Sequence, residues 1–348
     1  MMRQTMAYRT IRTAASLVAA ALLLLLVQPA SAQLIPNLGG QRAGISAFQF
    51  LKIDAGARGL GMGGTFVAVT NDVTSLYWNP AGLAQSEQNQ VSVTHTNYVV
   101  DIQHEFLAAS YHLTSYDAVG ISFTSLHTDD MPVTTETQPF GTGQYFSFGD
   151  IAIGATYSRK MTDQFSFGVT LRYVEETLDV LKMRGLVADL GTYYWTGLGT
   201  SRFAVVVSNF GGDVSPKGTV TQYSGQDISS FQSFSPPTRF KIGFAIEPVE
   251  LTDQRLTTSI ELNHPNDNAE NVHLGAEYAY QERLFLRGGV KRTIGESLLG
   301  EDQTGSSDFT LGMGVVMPVG GNHISVDYAF ANFNGLGSIH MFSVGVTY

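Results

Sequence analysis

Strict alternation of apolar with small polar residues is the feature that most constrains this chain. In Phe165–Tyr173, the side chains of Phe165, Phe167, Val169, Leu171 and Tyr173 share one face, and Ser166, Gly168, Thr170 and Arg172 share the other. Phe240, Ile242, Phe244 and Ile246 likewise oppose Arg239, Lys241, Gly243 and Ala245. Phe309, Leu311, Met313, Val315 and Met317 oppose Thr310, Gly312 and Gly314, and Ile324, Val326, Tyr328 and Phe330 oppose Ser325, Asp327 and Ala329. A period of two means strands with chemically distinct faces. A soluble sandwich alternates too, but it packs its inner faces together and turns a polar face to water. Here the second face is Gly, Ser, Thr and Ala with scattered charge. Only 14% of the chain is charged, against roughly 25% in soluble domains. The alternating runs reach about ten or eleven residues, the length that crosses a bilayer when tilted. The pattern predicts an all-β fold: a transmembrane antiparallel β-barrel with its apolar face toward lipid and its small, charged face toward the lumen.

About fourteen strands are expected, with boundaries good to a few residues. They begin near Gln90, Glu105, Tyr116, Phe146, Gln164, Met183, Ser201, Thr238, Arg255, Asn271, Arg283, Asp308, Asn322 and Ile339. After the first hairpin the connections alternate. Thr114-Ser115, Met161–Asp163, Thr196–Thr200, Gln281-Glu282 and Pro318–Gly321 are short. Leu126–Tyr145, Phe210–Pro237, Ile294–Ser307 and Ala331–Ser338 are longer, and Glu247–Gln254 reads as a mildly long turn. Short turns belong on the periplasmic side and long loops outside. Tyr193-Tyr194-Trp195, Tyr278 with Tyr280, and Tyr348 are expected in the interfacial girdles. The last run, His340–Tyr348, alternates up to a terminal aromatic. It resembles the C-terminal signal by which outer-membrane barrels are recognised.

Residues 1–32 read as a cleaved secretory signal peptide, which sends the protein to the cell outer membrane. Arg3, Arg9 and Arg12 form a positive head, Leu17–Val27 is an apolar run of eleven residues, and Ala30-Ser31-Ala32 offers small residues for cleavage. A spanning helix would need about 20 apolar residues. The chain has no Cys, which excludes disulfides, Cys-ligated metals and a Cys nucleophile. A formal charge of −10 argues against nucleic acid as a partner, because phosphate binding needs a basic face.

Residues 33–89 precede the strands, and residues 90–348 form the expected barrel. Gly59, Gly61, Gly63 and Gly64 crowd a segment that satisfies G-x-G-x-x-G. A dinucleotide site needs that motif inside a βαβ unit, which this chain lacks, so no cofactor is expected. The structural reading is close backbone packing, since Gly permits tight approach and positive φ. Asp72–Trp78 reads as a short helix with Asn71 or Asp72 as N-cap. Asn79, Pro80 and Gly82 should end it, with the Asn79 side chain bonding two residues on.

Phe50-Leu51-Lys52-Ile53, Gly56-Ala57-Arg58, Leu60-Gly61-Met62-Gly63-Gly64 and Tyr77-Trp78-Asn79-Pro80-Ala81-Gly82-Leu83 carry a resemblance to the PorV/PorQ family of outer-membrane proteins, which belongs with the FadL-like barrels. The resemblance implies that Gly59–Leu83 folds into the lumen as a hatch, or plug. It implies a role accessory to type IX protein secretion, in which secreted cargo is bound and delivered at the cell surface. The partners would be secreted protein cargo, other secretion components and outer-membrane lipid. The alternative reading from the same resemblance is a FadL-like transporter of hydrophobic small molecules.

Catalytic patterns are absent: no G-x-S-x-G, H-E-x-x-H or G-x-x-x-x-G-K occurs, and the eight His are scattered. No metal site and no enzymatic activity are expected. Asp129-Asp130 and Glu175-Glu176 are adjacent carboxylates, read as solvated loop charge rather than calcium ligands. The candidate lumen charges are Arg172, Arg239, Lys241, Arg287 and Lys291 with Asp189, Glu261, Glu277 and Asp327. In a closed interior these must pair or be hydrated. They form either a network joining hatch to wall or a path for solute. Phe140, Tyr145, Phe231 and Phe234 in the long loops are candidate contacts for cargo or for a hydrophobic ligand.

Overall fold

The computed structural model describes residues 44–222, 225–294, 308–333 and 337–348. The expected signal peptide and most of the Ile294–Ser307 loop lie outside the described residues. Fourteen long strands close into one antiparallel barrel. In chain order the strands begin with β1 Gln90–Asn97, β2 Gln103–His112 and β3 Asp117–His127. Two-residue strands β4 Met131–Pro132 and β5 Tyr145–Phe146 then pair with each other outside the barrel. The wall continues with β6 Phe148–Lys160, β7 Phe165–Leu178, β8 Leu181–Trp195 and β9 Arg202–Gly211. A second small pair, β10 Val220–Thr221 and β11 Asp227–Ile228, is followed by β12 Arg239–Glu250, β13 Gln254–Pro265 and β14 Asn271–Tyr280. The last strands are β15 Leu284–Thr293, β16 Asp308–Val319, β17 Asn322–Phe333 and β18 Gly337–Thr347. Each wall strand pairs with its sequence neighbour in the wall, and β18 closes the ring on β1 through pairs such as Val93 with Val344. Every wall strand begins within two residues of its expected start.

The barrel is inside-out in its chemistry. Leu186, Leu311, Phe244 and Val326 are exposed on the outer face. Their neighbours in the alternation, among them Asp189, Lys241, Glu261 and Glu277, are buried on the inner face. Burying charge while exposing Leu and Phe is unfavourable in water and favourable in lipid. Among the described residues no helix is long and apolar enough to cross a membrane; the strands provide the span. The two rims differ. One carries the connections 113–116, 161–164, 196–201, 251–253, 281–283 and 320–321. The start of β1 and the end of β18 sit at that rim, where Tyr348 N donates to Asn89 O at 3.0 Å. The other rim carries the long loops.

Several sequence expectations need correction. Tyr193 and Trp195 do not belong to an outer girdle: Tyr193 is buried inside against Trp195. Period two puts residues 193 and 195 inward and only Tyr194 outward, where it packs on Phe203. The Glu247–Gln254 turn is shorter than expected, because β12 runs to Glu250 through an irregularity between Ile246 and Val249. The Ala331–Ser338 loop shrinks likewise, since β17 reaches Phe333 and β18 starts at Gly337. The helix expected over Asp72–Trp78 spans Ser75–Trp78. Asp72 does not cap it. Its carboxylate accepts from Thr74 N at 2.9 Å, which makes a turn before the helix.

Candidate functional site

Among the described residues before β1, 44–89, regular structure is sparse: a 3-10 turn at Gln49–Lys52, a helix at Ala57–Gly61, the Ser75–Trp78 helix and a 3-10 stretch at Pro80–Gln85. The order of this segment comes from contacts with the inner wall. Phe48 N donates to Glu176 on β7 at 2.8 Å, and Ala57 N to Ser343 Oγ on β18 at 2.8 Å. Gly61 O accepts from Thr310 on β16, and Ala68 O from Arg202 on β9. Leu76 O accepts from Arg172 on β7, and Ala84 N donates to Ser158 on β6. Phe66, Val67, Leu76, Tyr77, Trp78 and Leu83 form a buried cluster with Phe106, Tyr193 and Val206 of the wall.

Glycine on both sides permits the approach. Gly63 and Gly64 each have φ of +72°, a conformation other residues rarely take. A Cβ on Gly61 would stand 3.1 Å from Gly312 Cα. On the wall side, a Cβ at Gly289 would collide with the Gly63 backbone, one at Gly168 with Pro80, and one at Gly191 with the Asn79 side chain. Asn79 itself accepts from Ala81 N at 3.0 Å and donates to Val67 O and Thr192 O at 2.9 and 3.1 Å. One side chain thus caps its own turn and ties it to β8. Gly59 packs on the Trp78 ring and Gly82 on Thr70.

The charges sort into clusters. Arg58 grips Glu277 with two hydrogen bonds, Nε to Oε2 at 2.9 Å and Nη2 to Oε1 at 3.0 Å, and reaches Asp72 at 2.9 Å. Arg287 meets the same Glu277 at 2.8 Å and Asp327 at 2.6 Å. Burial works against the Arg58 charge, but Glu277 and Asp72 outweigh it and hold the guanidinium more firmly protonated than usual. Arg172 pairs with Asp189 at 2.7 Å and also donates to Asn209. Lys241 stands 4.0 Å from Glu261 and 5.1 Å from the centre of the Trp78 ring. The free oxygen of that carboxylate is useful to the segment: Glu261 Oε2 accepts from Phe66 N and Val67 N at 3.1 and 3.3 Å. Arg239 donates to Leu51 O at 3.2 Å and to the Tyr77 hydroxyl at 3.3 Å. Burial pushes Tyr77 up to about 12, so its hydroxyl keeps its proton. Lys291 lines the cavity described below without joining these clusters.

Several participants were not singled out from sequence, among them Arg202, Arg58, Asp150 and Arg255. Arg202 bonds Glu247 at 2.7 Å and Ala68 O at 2.8 Å, with its guanidinium over the Trp195 ring. The signal was present, because Arg202 is in phase with Ala204, Val206 and Ser208, all inward. Arg58 stood inside a quoted motif with no role given. Glu175 and Glu176 are not a carboxylate pair, since alternation sends them to opposite faces. Glu175 meets Arg184 outside, and Glu176 accepts from Phe48 inside. Among the described residues no group of His, Asp and Glu is placed to hold a metal ion. Phe140 and Tyr145 are exposed on their loop, whereas Phe234 packs against the cluster around Phe48 and Val187.

Two cavities flank the segment. A small one of about 210 Å³ is lined by Gly56, Ala57, Arg58 and Asp72 with short-turn-rim residues such as Glu282 and Thr347. A larger one of about 570 Å³ is lined by Leu60, Gly64 and Trp78 with residues of strand ends toward the other rim, such as Phe148 and Phe333. The Ala57–Gly61 helix lies between them.

A closed antiparallel barrel with a lipid-compatible outer face and a charged interior is the architecture of an outer-membrane barrel protein. The CymD monoaromatic hydrocarbon channel is similar at a TM-score of 0.56 and 15% identity, covering 86% of this chain and 98% of its own. The Pseudomonas putida toluene transporter TodX matches at 0.56 and 15%, covering 84% and 97%. The Ralstonia pickettii toluene transporter TbuX matches at 0.56 and 13%, with the same coverage. These likenesses concern the fold. No curated protein matches the chain. The family model described as type IX secretion system protein PorV matches residues 38–264, well over half of the sequence, and the chain belongs to the PorV family. Fold and family together place it in the outer membrane as a non-enzymatic barrel.

Proposed function

We propose that this protein is an accessory barrel of type IX secretion. It binds secreted protein cargo through its long loops and helps deliver it at the cell surface, while residues 33–89 act as a plug. In this reading the leader is removed after Ala32, the short-turn rim faces the periplasm, and the loops 128–147 and 212–238 face outward. The supporting observation is the bonding of the N-terminal segment to inner side chains on β6, β7, β9, β13, β14, β16 and β18. A lumen occupied in this way suits a docking platform better than an open conduit. Phe140 and Tyr145 offer exposed aromatic anchors of the kind that dominate protein interfaces. The test compares proteins exported to the cell surface with and without the gene. Loss of surface-attached cargo supports the reading, and an unchanged set of exported proteins refutes it.

A second reading, transport of hydrophobic small molecules, draws on the likeness to the toluene transporters and on the apolar lining of the larger cavity, including Phe333, Ile339 and Met341. Impaired uptake of a monoaromatic compound, with secretion intact, would favour it.

A further inference from the structure

The larger cavity, about 570 Å³, is in the range of small-molecule sites, about 300–1,000 Å³. Its lining carries charge of both signs, with Lys52, Asp54, His273 and Lys291 facing it beside four further groups. On β12 stand Arg239 and Lys241, and on β6 and β7 stand Asp150 and Glu176. Apolar side chains, among them Phe333, Ile339 and Met341, cover another part of the wall.

Both charged sides are left incomplete. Arg239 is 7% exposed, its Nε has no hydrogen-bond partner, and its Nη2 meets only neutral acceptors. Asp150 is 2% exposed, its Oδ1 has no partner, and its neighbour across the ladder is a second carboxylate, Glu176. Asn263 Oδ1 and Thr96 Oγ1, on buried residues of the same cavity, are also unpartnered. A buried polar group whose hydrogen bonds are unmet is costly. A hydrocarbon would relieve neither end of this cavity, and a simple carboxylate would relieve one. In the wall order, Glu176 on β7 and Arg239 on β12 are separated by β8 and β9. Three strand spacings amount to about 14 Å along the wall. A lipid headgroup zwitterion holds its two charges only a few bonds apart, too close for both sides. An extended tripeptide spans about 10 Å, and the inward reach of the wall side chains covers the remainder.

We propose that this cavity binds a short apolar peptide with free termini, its carboxylate on Arg239 and Lys241 and its ammonium on Asp150 and Glu176. Its side chains lie on the Phe333, Ile339 and Met341 surface, and its amide groups meet Asn263 and Thr96. The proposal does not depend on the secretion role.

The test uses the full-length protein in detergent, with calorimetry and the fluorescence of Trp78, which lines the cavity. The probes are trileucine, its N-acetyl form, its C-terminal amide, the doubly capped form, and dihexanoyl phosphatidylethanolamine. Free trileucine should bind saturably, and each cap should weaken binding about tenfold or more. Arg239→Gln, which leaves Lys241 in place, should reduce the preference for a free carboxylate severalfold and keep that for a free amine. Asp150→Asn should do the reverse. Heat-modifiable gel mobility checks that both variants are folded. Equal affinity for free and capped peptides, no saturable binding at millimolar peptide, or tighter binding of the phosphatidylethanolamine would each overturn the proposal.

Discussion

The two ends of the lumen are built on opposite terms. Around the Ala57–Gly61 helix, segment and wall meet backbone to backbone, with Gly61 on Gly312 and Gly63 on Gly289, and Glu277 is shared by Arg58 and Arg287. Toward the long-loop rim the same segment leaves a cavity of about 570 Å³, with Arg239 and Asp150 only partly satisfied. Both ends bury charge. In one, each charge has its partner within the chain; in the other, the chain leaves hydrogen-bonding capacity over. The difference separates a region shaped for cohesion from a region shaped for a visitor.

The comparison breaks most severely at Glu277. Glu277→Ala would leave Arg58 and Arg287 buried without their shared carboxylate. Removing one partner of a buried pair costs about 3–5 kcal/mol, which should appear in the denaturant midpoint of protein refolded into vesicles. The same truncation at Glu175, half-buried on the outer face where it meets the exposed Arg184, should cost far less. Next is the face distinction. Phe244→Arg on the lipid side should cost about 2–4 kcal/mol near the midplane, while polar replacement of the inward Ser325 should be tolerated.

These contrasts also mark what sequence could convey. Alternation in Arg239–Ile246 identifies which residues face inward, because the period is a local property of the strand. It cannot say that Glu277 is claimed by Arg58, a residue of the preceding segment, since that pairing depends on how an irregular stretch lies inside the closed ring. Tyr193 and Trp195 illustrate the converse. Their place at a strand end suggested a girdle, but alternation, followed strictly, sends both inward. The unequal filling of the two lumen ends had no sequence signal, because a cavity is set by what the chain fails to reach.

A smaller effect is expected from Gly289→Val. Its added carbons would meet the Gly63 backbone, and overpacking of this kind costs about 1–3 kcal/mol. The expected sign is a faster hydrogen exchange in residues 59–64 with an unchanged barrel spectrum. The smallest expected effect is at Asp267, in the loop after β13. Burial alone would raise its carboxyl, but hydrogen bonds from Gln49 and Lys52 prevail and hold it below the ordinary Asp range. A depressed carboxyl contributes at neutral pH and loses that contribution as pH falls below about 4. Each bond is worth about 0.5–1.5 kcal/mol. Exchange of residues 49–53, corrected for intrinsic rates, should therefore rise selectively in acid, and Asp267→Asn should remove most of that pH dependence.

Single-channel conductance in planar bilayers tests the central claim most directly, that residues before β1 close the lumen. The wild-type protein should show a closed baseline, and deletion of Gly59–Leu83 should yield stable open-pore steps from a barrel that keeps its heat-modifiable mobility. A wild-type protein that already conducts as an open pore, or a folded deletion variant that stays closed, would contradict it.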